Sequence, residues 1–363
     1  MRFIDEFRNA ELVRRLADKI ARGSTRPARL MEFCGGHTVA IMRNGIRQLL
    51  PPTIEMLSGP GCPVCVTANS DIDKAIALAG LPDVIITTFG DMLKVPGSYS
   101  SLQKARAEGS DIRVVYSTQD ALQIARDNPQ QSIIFIGVGF ETTAPTIAMA
   151  VVQAEKEDLH NFYVLCQLKT TPPAMRALLD LGEIKINGII CPGHVTTIIG
   201  TGPYQAYARD YGVACVVAGF EPVDILQSVD MLVQQIERGE PRVEIAYTRG
   251  VQPGGNLKAL ELIHNVFDTA GASWRGLGEI PCSGLKLNVK YARFDAGRAF
   301  DVVLPPAREA PGCRCGEVLR GVIAPTGCKL FRKACSPENP IGPCMVSSEG
   351  SCAAYYQYGE SDG

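Results

Sequence analysis

The 363-residue sequence has no apolar run near the roughly 20 residues that a membrane-spanning helix requires. It also has no surplus of one charge, because 36 Lys and Arg stand against 38 Asp and Glu, for a net charge of −2. Nucleic acid and membranes are therefore not expected partners. The first twenty residues lack the apolar core of a signal peptide, so we expect a cytoplasmic protein.

Motifs of several common enzyme classes are also missing. The sequence contains no P-loop, no GxGxxG followed by a suitable acid and no GxSxG elbow, which leaves nucleotide binding and serine hydrolysis without support. The chain is longer than the roughly 250 residues at which single hydrophobic cores stop growing. We therefore expect more than one domain.

One pattern repeats from residue 30 to 245: a β-branched apolar run, a Gly-rich turn and a helical segment. The runs are "DVIITTF" (83–89), "IRVVY" (112–116), "SIIFIGVG" (132–139), "FYVLC" (162–166), "GIIC" (188–191) and "VACVVAG" (213–219). Near-continuous apolar strands separated by helices indicate parallel sheets that are covered on both faces. The pattern predicts an α/β fold, in which ligands gather at the carboxyl ends of the strands.

Two pairs of turns resemble each other and suggest a division into domains. The pairs are "CGGHTVAI" (34–41) with "CPGHVTTI" (191–198), and "GFETTAP" (139–145) with "GFEPVDI" (219–225). Their order predicts two similar α/β units that separate within residues 153–161. We therefore predict one α/β domain over 1–155, a second over 156–245, and a Cys-rich domain over 246–363, where the repeated pattern stops.

The stretch "GPGCPVC" contains a CxxC motif formed by Cys62 and Cys65. The second thiol lies just before a predicted helix that a residue among 69–71 caps and Gly80 ends. Amide donors and the positive end of a helix stabilise a thiolate at such a position. The motif predicts a reversible dithiol and disulfide pair. The alternative is half of a structural zinc site.

The thirteen cysteines are too many for a routine cytosolic enzyme, and a reducing compartment argues against a disulfide framework. Six of them lie after residue 312. A Cys-x14-Cys-x6-Cys-x16-Cys spacing runs through Cys313, Cys328, Cys335 and Cys352, with Cys315 and Cys344 as alternative ligands. Four thiolates without a partner His suit a [4Fe-4S] cluster or a zinc site, and spacing looser than that of close zinc-binding pairs favours the cluster.

Cys34 and His37 in "EFCGGHTVAI" are both good ligands for iron or zinc. Taken alone, they are better explained as a buried structural thiol beside a hydrogen-bonded His. Other polar residues also follow predicted strands, namely Asp91, Glu141, His194 and Glu221. Each of these singly is typical of a helix cap or a turn. Together they predict acids, imidazoles and thiols along one edge of the fold.

The motifs "CGGHT", "GPGCPVC", "GFETTAP" and "CPGHV", with the tail "CKLFRKACSPENPIGPCMVSSEGSC", closely resemble the HypD family of hydrogenase maturation factors. They span residues 34 to 352 in the family's order. The resemblance implies two α/β domains that face a central cleft, and a third domain that carries a [4Fe-4S] cluster. It also implies a scaffold with redox activity, rather than a conventional turnover enzyme, on which the Fe(CN)2(CO) unit of [NiFe]-hydrogenase is assembled.

The resemblance further implies partners and residue roles. Cys34 would hold the iron, shared with a cysteine of the small partner HypC, and His37 would lie close by. Cys62 and Cys65 would be the redox pair, and the tail cysteines would hold the cluster. HypE would deliver cyanide, and the hydrogenase large subunit would be an indirect partner. We also include Glu141 among the candidate catalytic residues.

Two other functions fit parts of the sequence. The first is a cluster-dependent dithiol–disulfide oxidoreductase that acts on a partner protein and in which Cys34 is merely structural. The second is a zinc-stabilised interaction protein without a redox role, which would need only the cysteines of the tail. The scaffold differs from both because it requires Cys34.

Overall fold

The structure is a computed structural model, and it describes residues 5–359. The strands are β1 Ala28–Glu32, β2 Ile54–Ser58, β3 Val84–Thr88, β4 Ile112–Val114, β5 Ser132–Gly139, β6 Phe162–Leu168, β7 Gly188–Pro192, β8 Ala214–Ala218, β9 Val243–Ile245, β10 Phe267–Trp274 and β11 Gly278–Leu287. The α-helices are α1 Ala10–Gly23, α2 Gly35–Arg43, α3 Ile46–Leu49, α4 Pro63–Val66, α5 Asn69–Ala79, α6 Leu102–Ala107, α7 Thr118–Asp127, α8 Ala144–Lys156, α9 Thr171–Leu181, α10 Gly193–Ile199, α11 Gln205–Tyr211, α12 Pro222–Arg238, α13 Leu257–Val266, α14 Ala296–Ala299, α15 Cys315–Leu319 and α16 Ser351–Tyr358. Short 3-10 segments lie at Asp5–Arg8, Gly90–Lys94, Gly202–Tyr204, Val289–Phe294, Pro325–Gly327 and Pro343–Met345.

Two parallel sheets form the body of the molecule and confirm the predicted α/β class. The first sheet has the strand order β2-β1-β7-β8-β9, and the second has the order β4-β3-β5-β6. Every strand pair in both sheets is parallel. The remaining strands, β10 and β11, form an antiparallel hairpin. The backbone of this hairpin bonds to the end of the second sheet, where the Thr170 amide donates to the Ser283 carbonyl at 2.8 Å.

The predicted domain boundary at 155/156 does not coincide with the sheets. Strand β1 pairs with β7, so residues from both sides of that boundary belong to the first sheet. The chain leaves the first sheet after β2, builds the second sheet from β3 to β6, and then returns. Both Cys-x-Gly-His turns consequently lie in the first sheet, after β1 and β7, instead of marking one domain each. Similar turns report a similar strand-to-helix transition, and they do not say which strands pair.

The apolar runs are buried on both faces of each sheet, as the sequence pattern predicts. In the second sheet, Ile85 and Ile133 face one core and Ile86 and Ile134 face another. The first sheet divides in the same way, with Leu30, Ile190 and Val216 on one face and Met31, Ile189 and Val217 on the other. Side chains two residues apart share a face of a strand, so a continuous apolar run supplies two cores at once.

The C-terminal segment after the hairpin contains little regular structure. It begins with the 3-10 segment Val289–Phe294 and α14, continues through an irregular stretch at residues 301–310, and ends with α16, which packs against α2 of the first sheet. The tail therefore lies directly on the turn that contains Cys34. Among the helices of residues 5–359, none is both long and apolar enough to span a bilayer.

Candidate functional site

Cys34 lies between β1 and α2, in the extended backbone conformation of a helix N-cap. Its carbonyl accepts the amides of His37 at 2.9 Å and Thr38 at 3.1 Å, and the residue is 9% exposed. Burial raises the pKa of the Cys34 thiol to about 12, and the carboxyl groups of Glu349 and Glu32 act in the same direction. The sulfur is therefore a neutral thiol in this state, and binding a metal ion would require it to lose its proton.

Glu32 is a component of the site that the sequence analysis missed. Its carboxylate is buried and accepts the Cys34 amide at 2.9 Å, the Ser58 hydroxyl at 2.6 Å and the Thr38 hydroxyl. Ser58 also hydrogen-bonds Ser351, the first residue of α16. Burial raises the pKa of Glu32 to about 7, against the opposing effect of these hydrogen bonds. The signal available in the sequence was an acid directly after the apolar pair Leu30 and Met31, within a predicted buried stretch.

His37 is fully buried, and burial lowers its pKa to about 4. Its Nε2 lies 3.3 Å from the Ala218 carbonyl oxygen, whereas Nδ1 has no partner within residues 5–359. A carbonyl only accepts, so Nε2 carries the proton and Nδ1 presents a lone pair. His37 is thus a neutral imidazole with one free nitrogen, three residues after Cys34.

Phe220 brings the two Cys-x-Gly-His turns together. Its ring stacks on His37 at 4.6 Å and on His194 at 3.8 Å between centroids. A Cβ on Gly36 would lie 3.1 Å from this ring, and one on Gly193 would lie 3.3 Å from it. The glycines of both turns thus leave room for the aromatic ring. Phe220 follows β8, and the sequence alone carried no signal of this role.

Cys62 and Cys65 form a disulfide, and the residues are 4% and 0% exposed. They flank the start of α4, where Cys62 is the N-cap. The following helix α5 ends at Gly80 as predicted, but its N-cap is Ala68 rather than a residue among 69–71. Asn69 is instead the first residue of the helix, and Ala68 makes no side-chain cap hydrogen bond.

Gly61 holds the CxxC loop against the Cys34 turn. Its carbonyl accepts the Gly35 amide at 3.0 Å. A Cβ on Gly61 would lie 2.2 Å from the Cys34 backbone nitrogen and 2.5 Å from its Cα. Only glycine permits two backbones to approach this closely. The predicted redox pair and the predicted iron ligand are therefore neighbours.

The six tail cysteines line a single cavity, together with apolar side chains. They are Cys313, Cys315, Cys328, Cys335, Cys344 and Cys352. The sulfurs of Cys315 and Cys344 lie 2.8 Å apart. Cys65 Sγ lies 3.9 Å from the carbonyl oxygen of Pro343, the residue before Cys344. The tail and the CxxC pair thus belong to one apolar cluster of buried residues.

The donor set in this cavity fits a [4Fe-4S] cluster. All the donors are soft thiols, the other lining residues include Leu330, Phe331 and Met345, and a Cβ on Gly342 would lie 2.7 Å from Cys313 Sγ. No three His, Cys, Asp or Glu side chains within residues 5–359 converge as ligands of a single metal ion. A [4Fe-4S] cluster does not require such convergence, because each of its four cysteines binds a different iron.

The remaining polar residues separate into two groups. Glu349 packs against Gly35 in the Cys34 turn. Burial raises the pKa of Glu349, and the charge of Asp91 acts in the same direction, which places Asp91 near this turn. Glu349 was another component that the sequence analysis missed. Glu221, in contrast, is the N-cap of α12, and its carboxylate pairs with Arg8 at 2.5 Å. For Glu221 the helix-cap interpretation is confirmed.

Glu141 is buried beside the N-terminus of α9. One carboxyl oxygen accepts the Thr171 amide at 2.8 Å, and the other has no partner among the residues that the structure describes. Burial raises the pKa of Glu141 to about 7. Its hydrogen bonds run to Thr171 and not to the Cys34 turn, so Glu141 anchors the start of α9.

Comparison with known proteins finds similarity over nearly the whole chain. The family model HypD, described as "Hydrogenase formation hypA family", matches residues 11–359. The chain is 48% identical to the hydrogenase maturation factor HypD of Rhodobacter capsulatus, over 99% of this chain and 98% of that protein. The corresponding protein of Azotobacter vinelandii is 48% identical over 99% and 97%, and that of Escherichia coli (strain K12) is 46% identical over 100% and 99%.

Proposed function

Because the chain belongs to the HypD family of hydrogenase maturation proteins, we propose that it is the scaffold on which the Fe(CN)2(CO) unit of a [NiFe]-hydrogenase is assembled. In this proposal Cys34 supplies the thiolate that holds the iron. A HypC-type protein shares the iron through its own cysteine, a HypE-type protein provides cyanide, and the hydrogenase large subunit receives the product indirectly. The reaction takes place in the cytoplasm.

The observation that carries the proposal is the surroundings of Cys34. Its backbone is held by Glu32 on one side and by the CxxC loop at Gly61 on the other. His37 follows three residues after Cys34 as a neutral imidazole with one ring nitrogen that has no partner in the described part of the chain, and the Cys34 thiol would release its proton when iron binds. A soft thiolate in a cleft that excludes water also keeps iron ferrous, which its cyanide and carbon monoxide ligands require.

The second support is that the tail cysteines contact the CxxC pair, whose loop contacts the backbone of Cys34 at Gly61. The Cys315 and Cys344 sulfurs lie in contact, and the carbonyl before Cys344 contacts Cys65. The Cys62–Cys65 disulfide can take up two electrons and two protons to become a dithiol. A [4Fe-4S] cluster held by Cys313, Cys328, Cys335 and Cys352 would supply electrons one at a time.

The burial of the disulfide favours the scaffold over a partner-directed oxidoreductase. Reduction of a partner's disulfide requires that a thiolate attack it directly. Cys62 and Cys65 are 4% and 0% exposed, so neither sulfur is presented to another protein. Their neighbours are the Cys34 turn and the tail cysteines, which belong to the same chain.

Replacement of Cys34 tests the scaffold. We expect that Cys34→Ala, purified without oxygen in complex with its HypC-type partner, loses the infrared bands of iron-bound cyanide and carbon monoxide. The visible absorption of the tail cluster should stay unchanged. Cys166→Ala is the matched control, because this thiol lies in the second sheet and donates to Leu285. Bands that survive in Cys34→Ala would refute the assignment.

A further inference from the structure

The first sheet ends at β2 in an open edge. The hydrogen bonds from Ala28 to Thr53 and from Gly59 to Glu32 set the ladder between β1 and β2. In this register the amide and carbonyl groups of Met56 and Ser58 point away from β1. They have no hydrogen-bond partner among residues 5–359, because β2 pairs on one side only. An edge of this kind is a template for another strand.

This edge does not face open solvent but lies in a groove. A cavity of about 280 Å³ separates β2 from residues 318–325 of the tail, and Val322, Ile323 and Pro325 form much of its opposite wall. Met56 and Ser58 are only 6% and 8% exposed. Poorly hydrated backbone groups without partners are costly, so the groove favours an occupant that supplies main-chain hydrogen bonds.

Arg47 gives one end of the groove a positive charge. Its Nη1 donates to the Tyr355 hydroxyl, its Nε has no partner, and it forms no ion pair with a carboxylate within residues 5–359. Its charge acts on Glu32, which bonds Ser58, so Arg47 lies at the Ser58 end of β2. Glu55, the acid that also lines the groove, already pairs with Arg29 at 2.7 Å.

The parallel direction of the first sheet would bring the end of an added strand to Arg47. Every strand pair in the first sheet is parallel. A sixth strand added to β2 in the same direction would end beside Ser58, where Arg47 lies. Guanidinium groups match the geometry of carboxylates. A chain that ends in the groove would thus place its terminal carboxylate on an otherwise unpaired cation.

We propose that this groove binds the extended carboxyl-terminal segment of a partner protein as a sixth parallel strand, with the terminal carboxylate on Arg47. The five residues of β2 accommodate about 17 Å of extended chain. Main-chain hydrogen bonds to Met56 and Ser58 give affinity, and the apolar wall selects side chains. The site also lies close to the chemistry, because Ser58 bonds Glu32 and Glu32 accepts the Cys34 amide. The proposal does not depend on an iron at Cys34.

Selection from a peptide library tests this site. Random nine-residue peptides with free carboxyl termini are selected on the immobilised full-length protein, and the strongest binder is synthesised with a carboxylate or an amide at its end. We expect the amide form to bind at least tenfold more weakly. Binding of the carboxylate form should fall by a similar factor in Arg47→Gln, but not in the control Arg43→Gln, because Arg43 is exposed on α2 and does not line the groove.

A second variant tests the groove even if Arg47→Gln misfolds. Val322 is 40% exposed, so Val322→Glu should leave the fold intact while it blocks the apolar wall and repels a carboxylate. The bound peptide should also slow hydrogen exchange at the amides of Met56 and Ser58. Failure to select any peptide, or equal binding of the carboxylate and amide forms, would overturn the proposal. So would self-association of the chain that Val322→Glu abolishes, because the occupant would then be a second copy.

Discussion

The backbone amide of Cys34 donates a 2.9 Å hydrogen bond to the carboxylate of Glu32, two residues earlier in the chain. Because the same carboxylate accepts from Ser58, and Ser58 contacts Ser351, this bond links the Cys34 turn to the tail. The position of the candidate iron ligand thus depends on segments more than 300 residues apart in sequence.

Removal of the Glu32 carboxylate should destabilise the protein. In Glu32→Ala the buried hydroxyls of Thr38 and Ser58 and the Cys34 amide lose their acceptor, which we expect to cost about 3 kcal/mol of unfolding free energy. Denaturant unfolding measures this change. Glu55→Ala is the control, because its exposed ion pair with Arg29 contributes little. A loss for Glu32→Ala no larger than that of the control would contradict the network.

Gly61→Ala should separate the CxxC loop from Cys34. The added methyl group would lie 2.2 Å from the Cys34 backbone nitrogen, so one of the two segments must move. We expect a loss of about 2 kcal/mol in stability and a loss of maturation in a complementation assay. Gly202→Ala serves as the control, because nothing lies within 4 Å of its Cβ position. Normal maturation by Gly61→Ala would show that the close approach is dispensable.

Single replacements in the CxxC pair should leave the fold intact but abolish function. Cys62→Ser and Cys65→Ser remove the disulfide and keep the size of the side chain, so we expect a folded protein that binds its partners yet does not mature hydrogenase. Circular dichroism and a maturation assay in cells separate the two outcomes. Cys166→Ser, which retains a hydrogen-bond donor to Leu285, should behave as the wild type. Unimpaired maturation by either CxxC variant would show that Cys62 and Cys65 have no redox role in maturation.

Iron analysis can distinguish the predicted cluster ligands from the two additional tail cysteines. Protein purified without oxygen should be brown and contain about four irons per chain. Cys328→Ala should lose this iron and the visible absorption, whereas Cys315→Ala should retain both. Loss of iron in Cys315→Ala with retention in Cys313→Ala would show that Cys315, and not Cys313, is the cluster ligand. Stoichiometric zinc without visible absorption would instead support the zinc-stabilised interaction protein.

The buried Glu141 should make stability depend on pH. Burial raises its pKa to about 7, so the folded state holds the proton more tightly than the unfolded chain does. The stability that this proton contributes is complete below the carboxyl's ordinary pKa and is lost as the pH rises through 7. Between pH 4.5 and 8 the wild type should therefore lose about 3 kcal/mol relative to Glu141→Gln, which cannot ionise. Denaturant unfolding at several pH values measures this difference, and parallel curves for the two proteins would contradict it.

The sequence carried most of the local information about this fold. Continuous apolar runs predicted strands buried on both faces, and Ile85 and Ile86 do face different cores. Gly80 ends α5 as expected, because glycine is a poor helix former in any surroundings. The cysteine spacing likewise separated the tail from the CxxC motif. These features depend on residues near one another in the chain, and periodicity and residue type report them directly.

Only the tertiary structure decided which distant segments meet. The pairing of β1 with β7, the stacking of Phe220 on His37 and His194, and the contact of Ser58 with Ser351 all join segments that no local pattern relates. An apolar strand reports that it is buried but not which strand lies beside it, because many partners satisfy the same hydrophobic pattern. The closeness of Cys34 to the CxxC pair likewise arises from the backbone contact at Gly61, a contact between two strand ends of one sheet.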